Sequence, residues 1–298
     1  MAIRTAALLL LLGFAAAAQG PSEPPPREPP KVLRIVRQVI KPGKTAAQEK
    51  IASAAVRAMS RTKYPANLLA LSSLSGDDEV WTLESHDSFV SVENADAFVE
   101  KTPALKWSLG QYEAQAGESI AQVRRLLAIY RPDLSYHGAQ LAQDLPKMRY
   151  VSVVIVRLHP SRDSDFSEAV RVVTAAYEKI NSDQPLVVYQ VVSGESGPAY
   201  LFLSPMASLK TMDDAPLRGK AIREAVGDEN AGKMLKVSAE VTAGTETFLF
   251  TLNPRLSYVS REFASVDPDF WTPKPPPKPP AVPGAPVTPI TTTAPPQD

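Results

Sequence analysis

The chain has 298 residues, with 32 basic and 32 acidic side chains, so its formal net charge is zero. Nucleic-acid binding rests on Lys and Arg neutralising phosphates, and no basic stripe with interleaved aromatics is present, so no nucleic-acid partner is expected. Cysteine is absent, which excludes disulfides, thiol catalysis and thiolate metal sites.

The N-terminal 18 residues read as a cleaved export signal. Arg4 supplies the positive start, residues 6–18 are apolar, and Ala16-Ala17-Ala18 fits the cleavage site. The run is short of the roughly 20 residues that span a bilayer, so no membrane span is expected after its removal. The expected location is periplasmic or extracellular, in a bacterium. Residues 19–30 form a proline-rich linker and 267–298 a proline-rich tail; together 21–30 and 267–298 hold 18 of the 29 prolines. Such chain is extended and short of backbone donors, so the tail is expected to be disordered. Its Pro273-to-Pro280 stretch is a candidate ligand for a polyproline-binding protein partner.

Between the flanks, residues 32–40 read as a strand rich in Val and Ile, broken by Lys41-Pro42-Gly43. Residues 45–61 are good helix formers, with Ile51, Ala55, Ala58 and Met59 along one side. Strands follow at 68–74 and 79–84, joined by the turn residues Ser75-Gly76-Asp77-Asp78. Residues 89–98 are an irregular helical piece, 104–116 a clearer helix, and 122–130 a strand.

The order then repeats. Strand 150–158 is broken by His159-Pro160-Ser161, and 165–180 is a helix carrying Phe166, Val170, Val173 and Tyr177. Strands 186–192 and 199–203 flank Ser193-Gly194-Glu195-Ser196-Gly197. Helices at 217–226 and 231–241 precede a strand at 245–252. Each half ends on a shared signature, Arg131-Pro132-Asp133-Leu134-Ser135-Tyr136 and Asn253-Pro254-Arg255-Leu256-Ser257-Tyr258. A Tyr kept in both copies points to a structural job, such as packing against the other half.

Each half is therefore βαββαβ, an α+β ferredoxin-like unit, at 31–136 and 148–266 with a connector at 137–147. The first strands are apolar on both faces, so both faces need cover. Helices cover one; the economical cover for the other is the second half's bare sheet. The expectation is a monomer with internal pseudo-symmetry, closed as a pseudo-dimeric α/β barrel. Independent halves joined by 138–147 are the alternative.

The stretch Glu79-Val80-Trp81-Thr82-Leu83-Glu84-Ser85-His86-Asp87-Ser88-Phe89, with Phe98-Val99 and Thr102-Pro103-Ala104-Leu105-Lys106, resembles the dimeric α/β-barrel superfamily, which includes antibiotic-biosynthesis-monooxygenase-like and NIPSNAP-like domains. Residues 200–209 keep the pattern without Trp or His. The resemblance implies a cavity between the sheets that takes a small apolar or aromatic ligand. Candidate ligand-binding residues are Arg34, Gln38, Trp81, His86 and Tyr189. The plainer reading puts Arg34 at a wet sheet edge, Gln38 on backbone, Trp81 in the core, and His86 on the surface beside a helix cap.

Haem-degrading members of the superfamily surround the porphyrin with Trp, His and Asn. Here the first strand has no Asn, and that group's His belongs on a later helix, so no cofactor is expected. His86, His137 and His159 have no partner at metal-ligand spacing, so no metal is expected either. The functional expectation is an exported protein binding a small apolar or aromatic molecule, with cofactor-independent monooxygenase-like oxidation as the finer reading. The other class is a non-enzymatic envelope structural or interaction protein acting through its proline-rich tail.

Overall fold

The computed structural model of the chain describes residues 28–272. The expected export signal, most of the expected linker and the tail from Pro273 onward lie outside them. Among the described residues there are eight strands and ten helices. The first half runs β1 (Val32–Ile40), α1 (Thr45–Thr62), β2 (Asn67–Ser73), β3 (Glu79–His86), α2 (Phe89–Lys101), α3 (Pro103–Ser119) and β4 (Ile120–Tyr130). A short helix, α4 (Gly138–Asp144), crosses to the second half. There follow β5 (Tyr150–Leu158), α5 (Asp163–Lys179), β6 (Val187–Ser193), β7 (Ala199–Met206), α6 (Lys210–Asp213), α7 (Ala215–Val226), α8 (Asp228–Val241) and β8 (Thr242–Leu252). Two more short helices close the described chain, α9 (Arg261–Ser265) and α10 (Pro268–Trp271).

Local chemistry accounts for several boundaries. The α1 helix ends at Lys63, whose φ of 55° turns the chain left-handed just before Pro65. A reciprocal pair of bonds between Ser88 and Ser91 starts α2. Pro103 opens α3 at the position where a missing N–H costs nothing.

All neighbouring strands are antiparallel, in the cyclic order β1-β3-β2-β8-β5-β7-β6-β4. Each half contributes one run of the same order, β4-β1-β3-β2 and β8-β5-β7-β6. Two seams join them, β2 to β8 and β4 to β6. The bare sheet faces thus curl round one shared core holding Leu33, Ile35 and Trp81 from one half and Val153, Ile155 and Leu201 from the other. Helices cover the outer faces through two smaller clusters. One core and two paired seams rule out independent halves. No helix among the described residues is long and apolar enough to cross a membrane.

The repeated signature clasps the seams. Tyr136 exchanges backbone bonds with Leu186 of the second half, as Tyr258 does with Leu68 of the first. The Ser135 hydroxyl accepts from the Val188 N–H, and the Ser257 hydroxyl from the Ala70 N–H, each at 2.9 Å. The phenol of Tyr136 donates to the Ser182 carbonyl at 3.0 Å, and that of Tyr258 to the Tyr64 carbonyl at 3.1 Å. Leu134 and Leu256 are buried beneath them. Each copy therefore ends its own half by binding the other.

The connector at 137–147 contains α4 and a 3-10 turn at Leu145–Lys147. One boundary differs from expectation. Residues 267–272 belong to the folded body rather than the tail, because Trp271 is buried and its indole N–H donates to the Pro146 carbonyl at 2.7 Å. Proline density masked this: Pro268 sits at a helix start, where proline is favoured.

Candidate functional site

The two ends of the barrel are chemically opposite. One end is sealed by an alternating chain of three glutamates and three arginines. Arg37 reaches Glu79 at 3.4 Å and Glu246 at 3.7 Å; Arg157 bonds Glu246 at 2.8 Å and Glu195 at 3.0 Å; Arg124 bonds Glu195 at 3.0 Å. Trp81 lies directly beneath. Its indole N–H donates to Glu79 at 2.6 Å, and the Arg37 guanidinium stands 4.4 Å above its ring. Phe248 and Phe250 pack beside it with centroids 5.3 and 5.1 Å away. An arginine on the inner face is tolerable here because two carboxylates and two aromatic faces replace its water.

Burial favours the neutral form of Glu195, but its bonds from Arg157 and Arg124 outweigh this and hold the carboxyl below its ordinary value of 4.5. A carboxylate depressed by folding contributes stability above its unfolded pKa and loses it as pH falls through the folded one. Glu195→Gln should therefore cost about 2 kcal/mol at pH 7. Its urea midpoint should also fall less than that of the unsubstituted protein between pH 5 and pH 3. Equal acid sensitivity would assign that limb to other carboxylates.

The opposite end is a mouth. It contains a cavity of about 470 Å³, walled by inward residues of both halves such as Leu33, Leu71, Leu83, Val151, Val187 and Leu203. Three segments outside the barrel roof it: residues 28–30, α4 with Leu145, and residues 259–263. Tyr189 forms part of the wall. Its hydroxyl donates to the Pro30 carbonyl at 2.9 Å, tying the incoming chain to the roof, and its ring lies 5.6 Å from that of Tyr130. Burial pushes the Tyr189 phenol pKa up, so it stays protonated at neutral pH.

Of the five candidate residues, only Tyr189 lines this cavity. Trp81 is inside the barrel but in the sealed half. Arg34, Gln38 and His86 face outward, against the helices. Gln38 pairs with the Tyr112 hydroxyl of α3 at 2.8 Å rather than with backbone. Arg34 is not at a wet edge: it bonds Glu84 at 2.8 Å, Asp96 at 2.5 Å and Tyr64 at 3.2 Å. His86 is not on the surface; it is 4% exposed, with Nε2 2.8 Å from the Glu84 carboxylate.

The structure thus joins Arg34 and His86 through Glu84, whose Oε1 also accepts from the Tyr64 hydroxyl at 2.9 Å. Burial and the neighbouring Glu84 charge push the Tyr64 phenol up. Burial works against the Arg34 charge, but Glu84 and Asp96 hold its pKa above the usual value. This cluster fixes α2 and the chain just after α1 to the sheet, and none of its residues lines the mouth cavity.

The sequence reading missed Arg37, Glu84 and the roof. Alternation alone does not say which apolar face of β1 turns inward, so it does not separate Arg34 from Trp81. The β1–β3 register separates them, pairing Arg34 with Glu84 and Arg37 with Trp81.

Two ferredoxin-like halves, closed through two equivalent seams around one core, decide the architecture. The chain is a pseudo-dimeric α/β barrel. No family model matches it, and no curated protein matches it. Solved structures similar to it include a candidate monooxygenase of Fusobacterium nucleatum, at 11% identity over 75% of this chain and 93% of that one, with a TM-score of 0.49. An anthrone oxidase-like protein is similar at 12% identity over 75% and 92%, with a TM-score of 0.47. Chlorite dismutase from Candidatus Nitrospira defluvii is similar at 11% over 79% and 96%, with a TM-score of 0.40. At these identities and scores the likeness carries no family and no activity to this chain.

Proposed function

We propose that this is an exported protein that binds a small apolar or aromatic molecule in the mouth of its barrel. The observation that supports it is the cavity: about 470 Å³, walled mainly by aliphatic side chains and placed where the two halves meet. That volume is within the range of small-molecule pockets, and sites between two structural units are common places for them. Moving apolar ligand surface from water into such a space is favourable at about 25 cal/mol per Å².

Titration with diphenylhexatriene, a fluorescent hydrocarbon, tests the reading. Saturable binding is expected, and Leu69→Trp, which places a large ring at the mouth, should weaken it about tenfold or more, roughly 1.4 kcal/mol, while leaving the circular dichroism spectrum unchanged. Absence of saturable binding in the unsubstituted protein would remove the proposal. The finer reading, cofactor-independent oxidation of the bound molecule, is tested by oxygen uptake with an apolar hydroquinone. Uptake abolished by Leu69→Trp supports turnover in the cavity; no uptake leaves binding alone.

A further inference from the structure

The cavity's polar lining is sparse, and its chemistry deepens the binding reading on which this inference rests. Asn67 and Ser85 are direct partners in the β2–β3 register, and both line the cavity. Asn67 is exposed and Ser85 half-buried. Among the described residues, neither side chain has a hydrogen-bond partner, while both backbones are held in the sheet. An amide beside a hydroxyl offers donors and acceptors together, which suits a group that does both.

The charges around the cavity point the same way. Among the described residues that line it, the charged ones are Glu28 and Glu262; no Lys, Arg or His is present. A carboxylate-headed molecule would find no lining Lys, Arg or His to receive its charge. It would also lose hydration on entering an aliphatic space, a loss that unpaired charges do not recover. A hydroxyl or carbonyl loses far less and regains it on Asn67 and Ser85.

We infer that the ligand is a neutral amphiphile, an apolar body bearing one hydroxyl or carbonyl group that Asn67 and Ser85 receive, and that the cavity rejects fatty-acid-like anions. Asn67 and Ser85 are then its specificity-determining residues.

Displacement of diphenylhexatriene by 1-decanol and by decanoate at pH 7.5 tests this. The alcohol should displace the hydrocarbon at a concentration about tenfold lower than the anion. The Asn67→Ala/Ser85→Ala double variant should bind decanol several-fold more weakly, by about the worth of one neutral hydrogen bond, while diphenylhexatriene, which has no polar group, binds it as before. Equal displacement by alcohol and anion would overturn the inference and leave the cavity reading standing. Unchanged decanol affinity in the double variant would overturn the assignment to Asn67 and Ser85. Failure of the hydrocarbon itself to bind would remove both.

Discussion

Gly194→Ala should cost about 4 kcal/mol or more, enough to remove most soluble protein, because the backbone there has no room for a side chain. Gly194 follows β6 at a φ of 98°, a conformation that L side chains rarely adopt. A Cβ would lie 2.1 Å from the Arg125 carbonyl oxygen and 3.0 Å from the Leu126 Cα. Both are backbone atoms of β4, so nothing can rotate aside. This is also the seam between the halves: Ser193 pairs with Leu127, and the register shifts between Leu127 and Ala128. Moving the turn would carry Glu195 away from Arg124 and Arg157 and unseal the barrel end. Gly43→Ala is the control. Its φ is also positive, at 74°, but nothing lies within 4 Å of the added atom. It should cost only the backbone strain, about 1–2 kcal/mol. Urea unfolding of both variants checks the contrast; equal losses would show that the close approach at Gly194 relaxes freely.

Most of the fold was legible because duplication and alternation are local signals. The strand β5 begins and ends where the Val- and Ile-rich run does, and the turn residues between β2 and β3 fall where glycine and aspartate cluster. The repeated Leu-Ser-Tyr marked equivalent places in the two halves. Its work across the seams follows from the hydrogen bonds of Ser135, Tyr136, Ser257 and Tyr258 rather than from the residues alone.

The site was less legible, for a physical reason. Strands apolar on both faces carry no mark of which face curls inward. Arg34 and Arg37 stand three residues apart on β1 and therefore on opposite faces. One fixes the helices through Glu84 and the other seals the barrel through Glu79 and Glu246. Only closure tells them apart. The cavity was less legible still, because its roof comes from α4 and from residues 28–30 and 259–263, which have no strand period and only helices of seven residues or fewer.

That roof yields the second large effect. Trp271→Ala should lower stability by about 3–5 kcal/mol, the usual cost of removing a buried tryptophan. The ring is 5% exposed and packs edge-on against Phe263 and Phe270, with centroids 4.9 Å away in each case. It belongs to the same core as Leu141 of α4. Its N–H holds the Pro146 carbonyl, while Asp267, at the start of α10, pairs with Arg149, whose guanidinium lies 4.0 Å from the Phe270 ring. The C-terminal helices and the connector are thus fastened to each other across the mouth. Phe263 and Leu141 both line the cavity, so loosening Trp271 should weaken diphenylhexatriene binding as well as stability. Trp271→Phe keeps much of the ring but loses the bond to Pro146, and should fall between. If Trp271→Ala instead weakens binding while the urea midpoint of the barrel stays put, the roof unfolds by itself. The shared core would then be two cooperative units, and ligand entry would need only the smaller one to open.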